Sequence, residues 1–217
     1  MKVTVLGASR NTGKHFVEQA LESGAEIQIT ILARAPEKLT FTEEQLARLT
    51  VVKGDATNKQ DIATAIEGAD IILSSLGGTI DLLGRTRDVG VEETGIMLAL
   101  EAIKGTRASS PPRLIMVSST GAGTNSDVPL LLRPLYSTML RVPHRHKAVA
   151  EAAIKESGVP YTLVRPAFMT NGGLTKAYRA DLGLQGYTIS RQDVAHFVLT
   201  QCVLEDKWHN ASPCVAY

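Results

Sequence analysis

A glycine-rich segment near the start of the sequence has the residue types that bind phosphate. It lies between a short apolar stretch and a helical pattern. Gly7 permits a tight turn and a close approach of the backbone to a ligand, and Gly13 permits a helix to pack closely on a strand. The unpaired N–H groups at the start of such a helix attract anions. We therefore expect this segment to bind the pyrophosphate of a dinucleotide, through Gly7, Ser9, Arg10, Asn11, Thr12 and Gly13. Arg10 stands where the common fingerprint has its middle glycine.

The next predicted strand ends in a basic residue. Residues 27–33 are rich in isoleucine, and Arg34 follows them, twenty-one positions after Gly13. A site for NAD places an acidic residue here to bind the ribose 2′-hydroxyl, whereas arginine favours a 2′-phosphate. Lys38 and Arg10 are candidates to add positive charge around that phosphate. The alternative is that these are solvated surface charges. The predicted cofactor is NADP(H).

Composition and charge favour one compact domain and exclude several classes of protein. The 217 residues contain 23 basic and 22 acidic side chains, and no basic run is long enough to follow a nucleic acid backbone. The sequence shows no signal-peptide pattern and no apolar run near the roughly twenty residues of a membrane span. Cys202 and Cys214 form neither a metal-ligand spacing nor a disulfide framework, so no metal is expected. These features predict a soluble, cytoplasmic protein, a monomer or small homo-oligomer, whose partner is a small-molecule substrate.

Apolar stretches alternate with helical patterns along the whole chain. This order is typical of a single α/β domain of the Rossmann type, with a mainly parallel, doubly wound sheet and helices on both faces. The predicted strands are residues 3–6, 27–33, 49–53, 70–75, 113–118 and 161–165. The predicted helices are residues 13–23, 59–67, 91–104, 144–157 and 192–204. Ligands of such sheets bind beyond the carboxyl ends of the strands, so the residues that end each strand are the informative ones.

The third and fourth predicted strands end in residues suited to an adenosine. Asp55 can accept a hydrogen bond from the adenine amino group, and Ala56 leaves room for the ring. After the fourth strand, Leu76-Gly77-Gly78 allows the backbone to pass close to the ribose and pyrophosphate. The alternative is an ordinary turn at each place, because Gly-Asp and Gly-Gly are common in loops. Their shared position at strand ends favours cofactor binding.

Several motifs together resemble those of a known family. They are residues 7–13, Arg34, Gly54-Asp55, Leu76-Gly77, residues 156–161 and residues 189–197. Through them nearly the whole chain resembles the atypical, NmrA-like short-chain dehydrogenase/reductases of the group that contains biliverdin-IX-beta reductase, also called flavin reductase. The resemblance implies an NADPH-dependent reductase. It does not fix the substrate, because relatives include isomerases, lyase-like enzymes and catalytically silent sensors.

The resemblance also implies which residues lie beside the nicotinamide. Ser119 aligns with the family serine that orients an acceptor, with Ser118 as the close alternative. The other interpretation is an ST-turn, in which the hydroxyl forms a hydrogen bond with the local backbone. Lys147 stands where the superfamily has the lysine of Tyr-x-x-x-Lys, but Pro143 replaces the tyrosine. Proline cannot donate a proton.

Other residues are candidates for the proton donor, and one is a candidate partner for Lys147. Tyr136 can enter the pocket from a preceding loop. His144 and His146 are candidates because imidazole as a group titrates near physiological pH, but a polar helix start on the surface is the favoured interpretation for both. Glu151 is four residues from Lys147, so a helix-face ion pair competes with a ribose contact.

The sixth predicted strand leads into an apolar stretch. In the superfamily the backbone after the proline meets the nicotinamide carboxamide, which implies cofactor contacts from Pro166, Ala167 and Phe168. The predicted wall for a planar acceptor contains Phe168, Met169, Leu135 and Tyr136, with Leu131 and Met139 as weaker candidates. We expect the substrate-binding portion to comprise about residues 127–143 and 167–190.

The predicted function is delivery of hydride from NADPH to a bulky conjugated small molecule, such as a flavin, quinone, tetrapyrrole or polyketide-like carbonyl compound. Two alternatives stay open. One is a sensor that binds NADP(H) without turnover, which the missing tyrosine and Arg10 favour. The other is an isomerase or dehydratase that retains its cofactor.

Overall fold

A computed structural model describes residues 1–80, 86–88, 90–105, 110–124, 126–138 and 140–217. Met139, a weaker candidate for the acceptor wall, lies outside these residues. The described strands are β1 (Lys2–Leu6), β2 (Gln28–Ala33), β3 (Leu49–Lys53), β4 (Ile71–Ser74), β5 (Thr79–Ile80), β6 (Thr86–Arg87), β7 (Arg113–Val117), β8 (Tyr161–Pro166), β9 (Phe168–Thr170), β10 (Arg179–Leu182), β11 (Thr188–Ser190) and β12 (Pro213–Ala216).

Eight of these strands form one sheet through the middle of the molecule. Their order is β10-β12-β8-β7-β4-β1-β2-β3, and only β10 runs antiparallel to its neighbour. All six predicted strands are present. The pairs β9-β11 and β5-β6 lie outside the sheet. The prediction of a mainly parallel, doubly wound sheet is confirmed.

Helices cover both faces of the sheet. They are α1 (Asn11–Glu22), α2 (Glu43–Ala47), α3 (Lys59–Ile66), α4 (Val91–Gly105), α5 (Arg133–Thr138), α6 (Arg141–Glu156) and α7 (Arg191–Phe197), which continues as a π-helix (Val198–Leu204); Pro36–Lys38 and Leu130–Leu132 are 3-10 turns. None of the helices in this described part of the chain is long and apolar enough to cross a membrane.

Two apolar cores lie on opposite faces of the sheet, and β7 contributes to both. Ile115 and Val117 belong to the core under α1 and α7, whereas Leu114 and Met116 belong to the core under α3, α4 and α6. Successive strand residues point to opposite faces, so a strand covered on both sides is apolar at every position. All five residues of β7 are buried.

The strand order places a ligand crevice beside β1. β2 and β4 flank β1 on opposite sides, and Leu6 pairs with Leu32 of β2 and with Ser74 of β4. The chain leaves β1 toward β2 and β3, then returns to the other side at β4. Such a reversal opens a crevice at the carboxyl ends of the strands. The predicted phosphate-binding segment lies at this point.

Two parts of the fold differ from the sequence-based expectation. The edge strand β10, its neighbour β12 and the pair β9-β11 lie outside the six predicted strands. The helix predicted to start at His144 starts instead at Arg141. Pro143 therefore lies in the first turn of α6, where a missing N–H group costs little.

Candidate functional site

A cavity of about 730 Å³ lies at the carboxyl edge of the sheet. We call it the carboxyl-edge cavity. Most residues predicted to bind the cofactor line it: Gly7, Ser9, Arg10, Asn11, Thr12, Arg34, Lys38, Asp55, Ala56, Leu76, Gly77, Gly78 and Lys147. Met169, predicted to contact the substrate, lines it as well. The cavity also contains residues that the sequence did not single out, including Asp88, Glu92 and Arg191.

Two glycines bring α1 against the end of β1. Gly7 has a φ of +90°, and a Cβ there would lie 2.7 Å from the carbonyl oxygen of Ser75. A Cβ on Gly13 would lie 2.3 Å from the carbonyl oxygen of Gly7, so the helix could not pack as it does with a side chain there. Arg10 precedes the helix in an extended conformation, and its side chain does not cap α1. The start of α1 therefore presents N–H groups to the cavity.

The predicted phosphate-binding cations lie at one end of the cavity. Arg34 follows β2 and is exposed, and its Nη2 lies 3.5 Å from Oδ2 of Asp88 across the opening. Lys38 lies in the 3-10 turn that follows. The Arg34–Asp88 contact is long and solvent-exposed, so it orients the guanidinium without binding it tightly.

Asp55 is held in one orientation beside these cations. Its Oδ1 accepts hydrogen bonds from the N–H and the hydroxyl of Thr57, both 2.8 Å long, and its own N–H donates to Asp61 over 2.8 Å. Burial raises the pKa of the Asp55 carboxyl, but the hydrogen bonds from Thr57 and the charge of Arg34 outweigh this effect and lower it. The carboxylate is thus ionised and fixed at the edge of the cavity.

The two candidate serines have different surroundings. Ser118 is fully buried, and its hydroxyl donates to Oε1 of Glu151 over 2.6 Å. Ser119 is partly exposed, and its hydroxyl oxygen lies 3.2 Å from Nε2 of His144. The hydroxyl of Ser118 is thus engaged in the protein interior, which leaves Ser119 as the candidate to meet a ligand, but neither serine is among the residues that line the carboxyl-edge cavity.

The surface position expected for His144 is wrong. Its side chain is buried, and it lies one turn before Lys147 on α6. Burial is the larger cause, and the positive charge of Lys147 the smaller one, that together lower the pKa of His144 to about 4. The ring is therefore neutral near pH 7. His146 is partly buried and forms a 2.6 Å contact with Glu93. Of the two histidines, His144 is the one that contacts a candidate site residue.

Lys147 lies near the buried carboxylate of Glu92, whose charge acts on its pKa. Its Nζ donates to the carbonyl oxygen of Val117 over 3.1 Å. Burial lowers its pKa, although the charges of Glu92 and Glu151 act in the opposite direction. Glu92, in the first turn of α4, is 1 % exposed, and its Oε2 has no hydrogen-bond partner among the described residues. A glutamate in the first turn of a helix is typically a surface residue, so its burial here is not apparent from the sequence.

The residues expected beside the nicotinamide and acceptor are only partly brought together. Met169 lines the cavity, and its Sδ lies 3.8 Å from the hydroxyl of Thr12. Phe168 is 46 % exposed. The buried Pro166 and Ala167 lie behind the cavity, and the N–H of Ala167 donates to Val215 over 3.0 Å.

Tyr136 and Leu135 are not on the cavity wall. Tyr136 is buried, with its hydroxyl 3.2 Å from that of Thr120 and its ring centre 5.0 Å from that of His144. The ring of Tyr136 packs against the ring of His144. Leu135 is partly buried on the same short helix, α5.

Comparison with known proteins identifies the family. The model of a family described as NAD(P)H-binding matches residues 7–205. The chain belongs to this NAD(P)H-binding family. Within it, the chain is 28 % identical to the reductase pytE of Aspergillus terreus over 93 % of this chain and 91 % of that protein. The resemblance to atypical short-chain dehydrogenase/reductases is thereby confirmed.

Solved structures share the family's fold at low sequence identity. One is a short-chain dehydrogenase/reductase from Veillonella parvula in complex with NADP, with a TM-score of 0.78, 19 % identity and coverage of 100 % of this chain and 94 % of that chain. Another is ChuY, an anaerobilin reductase from Escherichia coli O157:H7, with a TM-score of 0.75, 22 % identity and coverage of 100 % and 97 %. Both show the same Rossmann-type architecture.

A buried ionic network supports the serine side of the site. The guanidinium of Arg165 donates to both oxygens of Glu151, through Nε over 3.1 Å and through Nη2 at close range, and lies 3.5 Å from Asp127. Asp127 in turn accepts a hydrogen bond from the N–H of Gly121 over 3.0 Å. Glu151 is thus engaged by Arg165 and Ser118, and Lys147 instead donates its hydrogen bond to the carbonyl oxygen of Val117. The network ties β8 and α6 to the loop after Ser119.

A second network fixes the start of α7. Asp193 is fully buried and accepts hydrogen bonds from the hydroxyl of Tyr217 over 2.6 Å, from the N–H of Lys176 over 2.7 Å and from the hydroxyl of Thr175 over 2.8 Å. Ser190 caps the helix by accepting from the N–H of Asp193 over 3.0 Å. The network joins α7, Tyr217 and the extended chain before β10.

We expect Asp193→Asn to lower the free energy of unfolding by about 2 kcal/mol near pH 7, because an amide cannot accept all of these hydrogen bonds. Burial raises the pKa of Asp193, but hydrogen bonds from Tyr217, Lys176, Thr175 and Ser190 lower it overall. A lowered carboxyl pKa adds stability above the unfolded value of about 3.9, and this stability is lost as the pH falls through the folded pKa. Urea unfolding of both proteins should show the difference shrinking as the pH falls below about 3.9. A difference that stays constant with pH would exclude this role.

Proposed function

We propose that this protein is an NADPH-dependent reductase that delivers hydride to a bulky conjugated small molecule. One observation carries the proposal: a single cavity extends from Arg34 and Lys38 at one end to Lys147 and Met169 at the other. The first pair suits a 2′-phosphate, and the second suits a nicotinamide ribose beside an apolar wall. The reductase names of pytE and ChuY agree with this reaction class.

The cavity residues fit NADP(H) in chemistry and space. The start of α1 offers N–H groups to a pyrophosphate, without a capping side chain in the way. A Cβ built on Gly77 would meet no atom within 4 Å, so the backbone there is open to a ligand. Within the described part of the chain the buried Oε2 of Glu92 has no hydrogen-bond donor, and a ribose hydroxyl would supply one.

The residues at the reactive end bind and orient, and bound NADPH supplies the hydride. Lys147, held by the carbonyl of Val117, is placed to donate a hydrogen bond to the nicotinamide ribose. With its proton on Nε2, neutral His144 donates to the oxygen of Ser119 and leaves the serine hydrogen for an acceptor carbonyl. Pro143 has no proton to give, so the proton that accompanies the hydride comes from solvent. This scheme suits acceptors that stabilise the added charge by conjugation.

The acceptor is a flavin, a quinone, a tetrapyrrole or a polyketide-like carbonyl compound in this proposal. Phe168 and Met169 form the apolar side nearest the cavity, and the strongly exposed Leu130 and Leu131 lie in the proposed substrate portion of residues 127–143. The other part of this portion is residues 167–190. Large exposed apolar side chains in this portion favour a large planar ligand.

A second function, an NADP(H) sensor without turnover, is favoured by Pro143. This residue lines the cavity where a catalytic tyrosine would stand. The two functions differ in one measurable property. A sensor binds NADPH and leaves it unchanged, whereas a reductase consumes it when an acceptor is present.

The test is NADPH consumption, followed by the absorbance of the reduced nicotinamide, with FMN, menadione, biliverdin and an aromatic polyketide quinone as acceptors. We expect turnover with at least one acceptor, and loss of that turnover in Lys147→Met. Lys155→Met, on the solvent side of the same helix, is the matched control and should retain activity. Tight NADPH binding without turnover for every acceptor would favour the sensor. Conversion of an acceptor without net NADPH loss would instead indicate an isomerase or dehydratase.

The two serines should respond differently to alanine. We expect Ser119→Ala to lower turnover about tenfold or more while NADPH affinity changes little, since the hydroxyl orients the acceptor. Ser118→Ala should instead lower the free energy of unfolding by about 1–3 kcal/mol, because it removes a hydrogen bond from the buried Glu151. Steady-state kinetics and urea unfolding of both variants give the comparison. Unaltered turnover in Ser119→Ala would assign the role elsewhere.

A further inference from the structure

Arg191 is a cavity residue whose role the proposed function does not explain. It is the first residue of α7, is partly buried and lines the carboxyl-edge cavity. Its Nη1 donates to the carbonyl oxygen of Met169 over 3.1 Å and to Oδ1 of Asn171 over 2.8 Å. These two bonds hold one edge of the guanidinium and leave its other N–H groups available.

The backbone that carries Arg191 is fixed from two sides. Ser190 and Asp193 close the first turn of α7. On the other side, the carbonyl oxygen of Gln192 accepts a hydrogen bond from Gln19 of α1 over 3.0 Å. An arginine on such a rigid element loses little side-chain freedom when a ligand binds, which favours affinity.

Arg191 lies close to the start of α1. Its partner Met169 reaches Thr12, in the first turn of α1, with 3.8 Å between the sulfur and the hydroxyl oxygen. Arg10, Asn11 and Thr12 line the same cavity. The guanidinium and the N–H groups of α1 therefore border the same region from two elements.

Among the residues that the structure describes, no acidic side chain forms an ion pair with this guanidinium. Arg191 takes part in none of the salt bridges found there, whereas Arg34, Arg113 and Arg165 each do. Burial lowers the pKa of Arg191. A partly buried cation without a counter-charge is stabilised when an anion binds.

We propose that Arg191 binds the pyrophosphate of the dinucleotide, opposite the N-terminus of α1. The inference rests on the proposed NADP(H) site and adds a residue to it. The segment at residues 7–13 lacks a middle glycine, and Arg10 occupies that position. In this account two arginines, Arg10 on the loop and Arg191 on α7, flank the pyrophosphate. Arg191 contributes equally to NADPH and NADH, because the pyrophosphate is common to both.

The test compares three ligands with Arg191→Met. Calorimetry should show NADPH and NADH binding weakened by the same factor, about ten- to a hundredfold. Adenosine 2′-monophosphate has no pyrophosphate, so an NMR titration should show its affinity unchanged, which also shows that the cavity is folded. Arg191→Lys should lie between the parent and Arg191→Met, because lysine keeps the charge without the planar fork. Arg48→Met, an exposed arginine outside the cavity, is the matched control for charge and should bind as the parent does.

Three results would overturn the inference. Unchanged binding of both dinucleotides would show that Arg191 does not contact the pyrophosphate. If Arg191→Met then raised the KM for FMN and left the KM for riboflavin unchanged, Arg191 would be assigned to the phosphate of an acceptor. Loss of adenosine 2′-monophosphate binding would show that Arg191 maintains the folded shape of the cavity and would not support a contact with the pyrophosphate. Weakening of NADPH alone would place it at the 2′-phosphate. A parent protein that binds neither dinucleotide would instead refute the proposed function itself.

Discussion

Arg34→Asp is expected to weaken NADPH binding by about a hundredfold or more, with a much smaller effect on NADH. The parent guanidinium lies at the cavity mouth and is positioned by Asp88, 3.5 Å away. A 2′-phosphate competes well for this arginine because it carries more charge and accepts two parallel hydrogen bonds. The variant removes this attraction and places a carboxylate beside the phosphate. NADH has a 2′-hydroxyl, from which an aspartate can accept a hydrogen bond.

The control for this change is Arg48→Asp, which alters the net charge equally at an exposed position outside the cavity. It should leave the ratio of the two dissociation constants unchanged. Equal losses of NADPH and NADH affinity in Arg34→Asp would contradict the role of Arg34. An additional check is ionic strength, because screening should weaken NADPH binding to the parent more than to the variant.

Arg165→Met is expected to lower the free energy of unfolding by about 3–5 kcal/mol. Glu151 and Asp127 are 3 % and 2 % exposed at their side chains, and Arg165 contacts both. Burial alone would lower the pKa of Arg165, but the hydrogen bond and charge of Glu151, with the charge of Asp127, raise it. Removing the guanidinium leaves two buried carboxylates without their cation. Urea unfolding measures the loss.

Lys155→Met is the matched control for Arg165→Met. Its ammonium lies 3.9 Å from the same carboxylate of Glu151 but is 43 % exposed, and exposed pairs contribute about 0–1 kcal/mol. The double variant Arg165→Met/Glu151→Leu should recover part of the stability, since it removes a stranded charge as well. A loss below about 1 kcal/mol in Arg165→Met would show that this network does not stabilise the fold.

The sequence predicts the central strands and the phosphate-binding segment well, for physical reasons. A strand covered on both faces is apolar over most of its length, as residues 114–117 of β7 are, and such runs are easy to recognise. Gly7 and Gly13 occupy positions where a Cβ would collide with backbone, so the geometry leaves no other choice of residue. Local constraints of this kind can be read without a structure.

The remaining features depend on contacts between distant segments. The edge strand β10 has the sequence Arg-Ala-Asp-Leu and is largely exposed, so it lacks an apolar pattern. Glu92 and Arg191 stand in first turns of helices, where a charged residue normally faces solvent. His144 was expected at the surface because only the fold brings Ser119 to its ring. Their burial follows from which helices pack beside the cavity.

Calorimetric titration of the purified protein with NADPH and with NADH measures whether the carboxyl-edge cavity binds a 2′-phosphorylated dinucleotide. We expect one NADPH to bind per chain, with a markedly lower dissociation constant than for NADH. Absence of binding heat for both nucleotides across a range of temperatures would contradict it.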